Sequence, residues 1–167
     1  MIQQLKTLYF VDNNENLILV GGTGAGKTFL AQAIGHTACA AGIECYFISA
    51  NSFFREAQIA DASGTYLNYL KKIRRAKLLI IDELGLRNYT HKEATTLLEV
   101  LEDRYQKCPI IITSQTKPQG WKLLFEDEVI AEAILDRLTA CAHIVEVKGP
   151  SYRSNHKVKK KLENEGN

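Results

Sequence analysis

Apolar positions along the chain fall into two kinds of run that take turns. Short unbroken runs, rich in branched side chains, stand at 17–20 (LILV), 45–49 (CYFIS), 77–82 (KLLIID), 109–113 (PIIIT) and 143–147 (HIVEV). Runs of this length and composition predict strands, and the first, all apolar and followed by glycine, a buried one. Proline opens the fourth, a position where its missing N–H is tolerated. Between them lie longer segments with helical patterning. Segment 27–41 carries Phe29, Leu30, Ala33 and Ile34 and is stopped by Gly42. Segments 52–59 and 66–75 are separated at Ser63-Gly64, segment 92–106 puts Leu97, Leu98, Leu101 and Tyr105 on one face, and 129–140 closes the series. Parallel strands need crossovers, so this alternation predicts an α/β fold: a five-stranded parallel sheet with helices on both faces.

With 167 residues, 46% of them hydrophobic and 24% charged, the chain has the make-up of a globular domain able to bury a core. Residues 1–153 read as that domain and 154–167 as a charged tail. No apolar run approaches the roughly 18–20 residues of a membrane span. The start, MIQQLKTLYF, lacks the basic and long apolar regions of a signal peptide, so a cytoplasmic protein with no membrane partner is expected. Cys39, Cys45, Cys108 and Cys141 form no CxxC pair. In a reducing compartment they read as small buried hydrophobes rather than zinc ligands. The net charge of +2 does not by itself point to nucleic acid, but Lys71, Lys72, Arg74 and Arg75 cluster, as do Lys157, Lys159, Lys160 and Lys161.

The first chemistry-bearing pattern lies between the first strand and the first long helix. Residues 21–28 read GGTGAGKT, matching G-x-x-x-x-G-K-[ST] at Gly21, Gly26, Lys27 and Thr28. Glycines let successive N–H groups curl around one anion, and the following helix adds its positive end. The expected nucleotide-binding stretch is therefore Gly21, Gly22, Thr23, Gly24, Ala25, Gly26, Lys27 and Thr28, with Phe29 beside it. Lys27 is expected to reach the β- and γ-phosphates of ATP, and the Thr28 hydroxyl to ligate Mg²⁺.

The third strand ends in LLIIDE at 78–83, two carboxylates at the sheet edge where α/β folds bind ligands. Asp82 fits the metal-holding role, and Glu83 the residue that orients and deprotonates a water. A small-molecule kinase needs no such glutamate, because its nucleophile is a second substrate; the pair favours hydrolysis. After the fourth strand, Gln115 or Ser114 is placed to hold the attacking water. Arg137, in ILDRL at 134–138, either pairs with a neighbour such as Glu132 or Asp136 or acts as an arginine finger on an adjacent subunit; Arg153 poses the same choice.

Taken together, GGTGAGKT at 21–28, LLIIDELG at 78–85, IIITSQ at 110–115, AILDRL at 133–138 and KGPSYR at 148–153 resemble the IstB-like and DnaC-like branch of the AAA+ ATPases, the transposition helpers and helicase loaders. LKTLYFVDNNENLILVG at 5–21 resembles that family's lead-in to the loop. The resemblance implies an AAA+ core with a minimal C-terminal lid, Arg137 acting in trans and Arg153 as a second sensor. It implies an ATP-driven homo-oligomer on DNA, read without sequence preference, and a transposase or a replicative helicase as partner. Lys71, Lys72, Arg74 and Arg75 would then be phosphate contacts, against the alternative of a solvated basic face. Members usually carry an N-terminal extension, whereas about twenty residues precede the loop here.

Overall fold

The computed structural model describes residues 7–149; Arg153 and the tail lysines lie outside the described residues. Elements follow the order α1 (Tyr9–Asp12), β1 (Asn16–Val20), α2 (Lys27–Ala40), β2 (Cys45–Ser49), α3 (Ala50–Ala62), α4 (Tyr66–Arg75), β3 (Leu78–Leu84), α5 (His91–Arg104), β4 (Ile110–Ser114), α6 (Pro118–Trp121), a 3-10 turn (Lys122–Leu124), α7 (Glu128–Thr139) and β5 (Ala142–Glu146). The short α1, α6 and 3-10 turn are too brief for periodicity to reveal. Helix starts follow local chemistry: the Ser49 side chain accepts from Ser52 N–H, Asp127 accepts from Val129 and Ile130 N–H, and Thr90 with Glu93 forms a reciprocal capping box.

All five strands are parallel, in the order β2-β3-β4-β1-β5. Side chains alternate across the sheet, which splits the core in two. Leu17, Leu19, Leu78, Ile80 and Ile111 face α2 and α1, against Ala31, Ile34, Ala38, Phe10 and Val11. Ile18, Val20, Leu79, Ile81, Ile110 and Ile112 face the other way, against α3, α4, α5 and α7. One long helix thus covers the first face, and four the second. The buried side of α2 runs through Lys27, Ala31, Ile34, Gly35 and Ala38, so Phe29 and Ala33 are not core residues; Phe29 is 78% exposed. The cysteines also depart from expectation: Cys39 and Cys141 are exposed, Cys45 and Cys108 half-buried, all as free thiols. Cys39 follows Ala38 on α2 and so points off the sheet-facing side.

The edge of the sheet where strands begin is closed by two side chains. Asn16 accepts from Ile110 N–H and donates to the carbonyls of Arg137 and Leu138, tying β1 to β4 and to the last turn of α7. Arg104, 3% exposed, donates to the carbonyls of Ile73, Ala76, Lys77 and Pro109. It thereby satisfies the end of α4 and the residues leading into β3 and β4. Among the described residues, no helix is long and apolar enough to cross a membrane.

Candidate active site

At the opposite edge, β1 delivers the chain into the glycine loop. Val147 N–H bonds the Val20 carbonyl at 2.7 Å, so the residue after β5 runs against the loop's first glycine. A Cβ on Gly21 would stand 2.4 Å from the Val147 carbonyl oxygen. Gly26 caps α2 at φ +95°, a conformation open to glycine at no steric cost. Gly21→Ala sets backbone against backbone, and neither side can yield cheaply. The expected cost is about 1–3 kcal/mol, or several degrees of melting temperature by about 2–4 °C per kcal/mol, with weaker nucleotide binding. Thermal melts with and without ATP measure both.

Lys27 begins α2 and is 7% exposed. Its ammonium lies over its own loop, donating to the carbonyls of Gly21 at 2.7 Å and Gly22 at 2.9 Å. One residue on, the Thr28 hydroxyl donates to Asp82, with its Oγ1 3.0 Å and 3.1 Å from the two carboxylate oxygens. A hydroxyl and a carboxylate so placed are the hard oxygen donors that Mg²⁺ accepts while keeping most of its waters. The residues fit the ion.

The structure extends β3 two residues past the expected end at Asp82, through Glu83 to Leu84. Asp82 is 6% exposed and also accepts from the Thr113 hydroxyl on β4. Glu83 is exposed and has φ +61°, in the left-handed region that costs a residue with a Cβ about 1–2 kcal/mol. Beyond β4 the two candidate polar residues separate. Ser114 is fully enclosed, donating to the Leu84 carbonyl at 2.7 Å and accepting from the Trp121 indole N–H. Gln115 is exposed, and its Oε1 accepts from the Thr23 hydroxyl at 2.9 Å. Gln115 therefore keeps the water-holding reading. A cavity of about 290 Å³ gathers Thr23, Gly24, Gly26, Lys27, Thr28, Phe29, Gln32, Glu83 and Gln115.

Arg137 is not part of that cavity. It donates to Glu102 on α5 at 2.7 Å and to the Ala133 carbonyl, rather than to Glu132 or Asp136. Its own carbonyl binds Asn16, the first residue of β1, whereas the loop follows the last. From Asn16 to the first loop glycine the chain rises five steps of roughly 3.3 Å, so the Arg137 backbone lies about 16 Å along the strand from the loop. The basic cluster on α4 is likewise remote from the loop and largely paired. Lys72 meets Glu56 at 3.5 Å and the Tyr46 ring at 4.7 Å, Arg75 meets Glu44 at 2.9 Å, and Arg74 pairs with Asp103. Lys71 is exposed.

Sequence comparison decides the family. The model of the IstB-like ATP binding protein family matches residues 1–160. This chain belongs to that family. Among its IstB-like relatives, the insertion sequence IS5376 protein of Geobacillus stearothermophilus, named for ATP binding, is 38% identical over 93% of this chain and 62% of its own length. The IS21 counterpart of Pseudomonas aeruginosa is 36% identical over 95% of this chain and 60% of its own. The chain thus spans about three fifths of these relatives. In fold, this IstB-like chain matches the crystal structure of DnaI (TM-score 0.75, 23% identity, 89% of this chain and 81% of that one). It also matches AMPPCP-bound DnaA from Aquifex aeolicus (TM-score 0.74, 22% identity, 97% and 49%). The expected AAA+ P-loop fold is thereby established.

Sequence reasoning missed Thr113, Asn16 and Arg104. Each works through partners far away in the chain, and no local pattern marks it.

Proposed function

We propose that this chain is an ATP-hydrolysing AAA+ protein that assembles on DNA and assists a transposase. The observation that carries the reading is the meeting of phosphate loop, Glu83 and Gln115 in one cavity, with the lining residue Thr28 bonded to the buried Asp82. On ATP binding, Lys27 exchanges the Gly21 and Gly22 carbonyls for the β- and γ-phosphates. Thr28 and Asp82 hold Mg²⁺, which when bound neutralises phosphate charge. Gln115 steadies a water, and Glu83 takes its proton as the water oxygen attacks the γ-phosphorus. The bond to the β–γ bridging oxygen breaks, leaving ADP and inorganic phosphate.

The Arg137 backbone lies about 16 Å along β1 from its own loop, with the guanidinium held by Glu102, which supports a part in stabilising transition-state charge on a neighbouring copy. Arg153 serves as the second sensor. DNA phosphates are met by Lys71, Lys72, Arg74 and Arg75. Exposed ion pairs are worth roughly 0–1 kcal/mol, so phosphates can take the places of Glu56, Asp103 and Glu44. Kinship of 36–38% with insertion-sequence proteins supports a transposase as partner over a replicative helicase. The loader-like folds match at 19–23% identity, which speaks for fold alone. The setting is cytoplasmic.

Phosphate release with and without DNA tests the reading. Glu83→Gln should bind ATP normally yet turn over at least 100-fold more slowly, the lower bound for loss of a general base. Unchanged turnover would remove Glu83 from the chemistry. Mixing Arg137→Ala with Lys27→Ala, one lacking the finger and the other the loop, should give more activity than the two alone summed. A merely additive mixture would end the trans role.

A further inference from the structure

The end of β3 departs from regular pairing at the two acids. Ile81 pairs with Ile112 and Leu84 with Ser114, so Asp82 and Glu83 together face the single residue Thr113. Regular alternation sets Leu78, Ile80 and Asp82 on the α2 side and Leu79, Ile81 and Glu83 on the other. Without the bulge, Glu83 would point away from the loop. With it, Glu83 lines the loop cavity, and Leu84 rejoins the core cluster of Leu79 and Ile81. A bulge of this kind re-aims side chains beside active sites. The left-handed Glu83 backbone, φ +61°, must be held there by something.

Thr113 is what holds it. Its side chain is fully buried, its Oγ1 accepts from Glu83 N–H at 2.8 Å, and its hydroxyl donates to Asp82 Oδ1 at 2.5 Å. One hydroxyl thus fixes the backbone of one acid and the carboxylate of the other. Thr28 also binds Asp82, but it lines the cavity, and its hydroxyl is the one proposed above for the metal. Thr113 lies behind the site and is absent from the cavity wall. We propose that Thr113 is a positioning residue: it aims Asp82 at the metal site and Glu83 at the attacking water. The part concerning Glu83 rests on the hydrolytic reading above; the part concerning Asp82 rests only on Mg²⁺-dependent nucleotide binding.

The test compares Thr113→Val, which keeps shape and removes the hydroxyl, with Thr113→Ser, which keeps the hydroxyl. Affinity for a fluorescent ATP analogue is titrated in EDTA and across Mg²⁺ concentrations, and turnover is followed alongside. Thr113→Val should bind the analogue in EDTA within twofold of wild type. It should need at least tenfold more Mg²⁺ for half-maximal binding and lose at least tenfold in kcat, the usual scale for an outer-shell partner. Thr113→Ser should stay within about threefold on every count, because a hydroxyl alone keeps both bonds. Wild-type Mg²⁺ dependence in Thr113→Val overturns the proposal, as does a Thr113→Ser variant as impaired as valine, which would mean that the methyl matters. If Thr113→Val does not fold, Thr113→Ala removes the same hydroxyl without setting a methyl against the Asp82 carboxylate and reads the same loss. Should wild type prove to hydrolyse no ATP, the hydrolytic reading fails, and the Mg²⁺ titration still decides for or against Thr113.

Discussion

Lys27→Ala should lower affinity for a non-hydrolysable ATP analogue by about 100-fold. Hydrogen bonds from a charged group are worth roughly 1.5–3 kcal/mol each, and loss of one such contact on each of two phosphates approaches 3 kcal/mol, with each 1.4 kcal/mol tenfold. The fold itself should change little. The ammonium now satisfies the Gly21 and Gly22 carbonyls, which lie in a half-open loop and can take water instead. Calorimetric titration with AMPPCP and a melt of the same sample separate the two effects. Wild-type affinity with an intact fold would mean that the loop binds phosphate through its backbone alone.

Arg104→Leu should have the largest effect on stability, and it lies at the far end of the molecule from the nucleotide. The guanidinium is buried, and burial pushes its pKa below the ordinary arginine value. It is repaid by the carbonyls of Ile73, Ala76, Lys77 and Pro109. Leucine would leave those acceptors enclosed without donors, at about 1–3 kcal/mol for each that water cannot reach. The expected loss is about 3–5 kcal/mol, or roughly 10 °C in melting temperature for a domain of this size. Arg104→Lys recovers only part, since a point ammonium cannot span the fork. Urea unfolding within about 1 kcal/mol of wild type would mean that these ends re-solvate freely.

The difference between what was legible in the sequence and what was not follows the range of the interactions. The loop from Gly21 to Thr28 is read locally because phosphate binding needs glycines at fixed spacing next to a lysine. The central strands β1, β3 and β4 show themselves because they are buried on both faces and leave apolar runs, whereas the edge strands β2 and β5 are only partly buried and are marked by branched and aromatic composition alone. Phe29 was misplaced because helical spacing says that a face exists, not which side the sheet covers. Gln115 is the first choice over Ser114 from its place at the strand tip, but only the fold shows that Leu84 and Trp121 enclose the serine. Arg137 was an open choice because its acid, Glu102, is 35 residues away on α5. The left-handed turn at Glu83 has no signature in glycine or asparagine; it comes from a register slip between two strands far apart in the chain.

The separation of Arg137 from the loop gives any assembly built this way a direction. A head-to-tail contact of unlike surfaces closes into a ring only if the rotation per subunit divides the circle; otherwise it grows as a helix. A growing helix has two unlike tips, one showing an unfilled loop and the other an unused arginine. Subunits lacking Arg137 or Lys27 would then act as caps of opposite polarity, each halting extension from one tip only. A small dose of such caps would shorten the helix well before it poisoned an equal fraction of the individual sites.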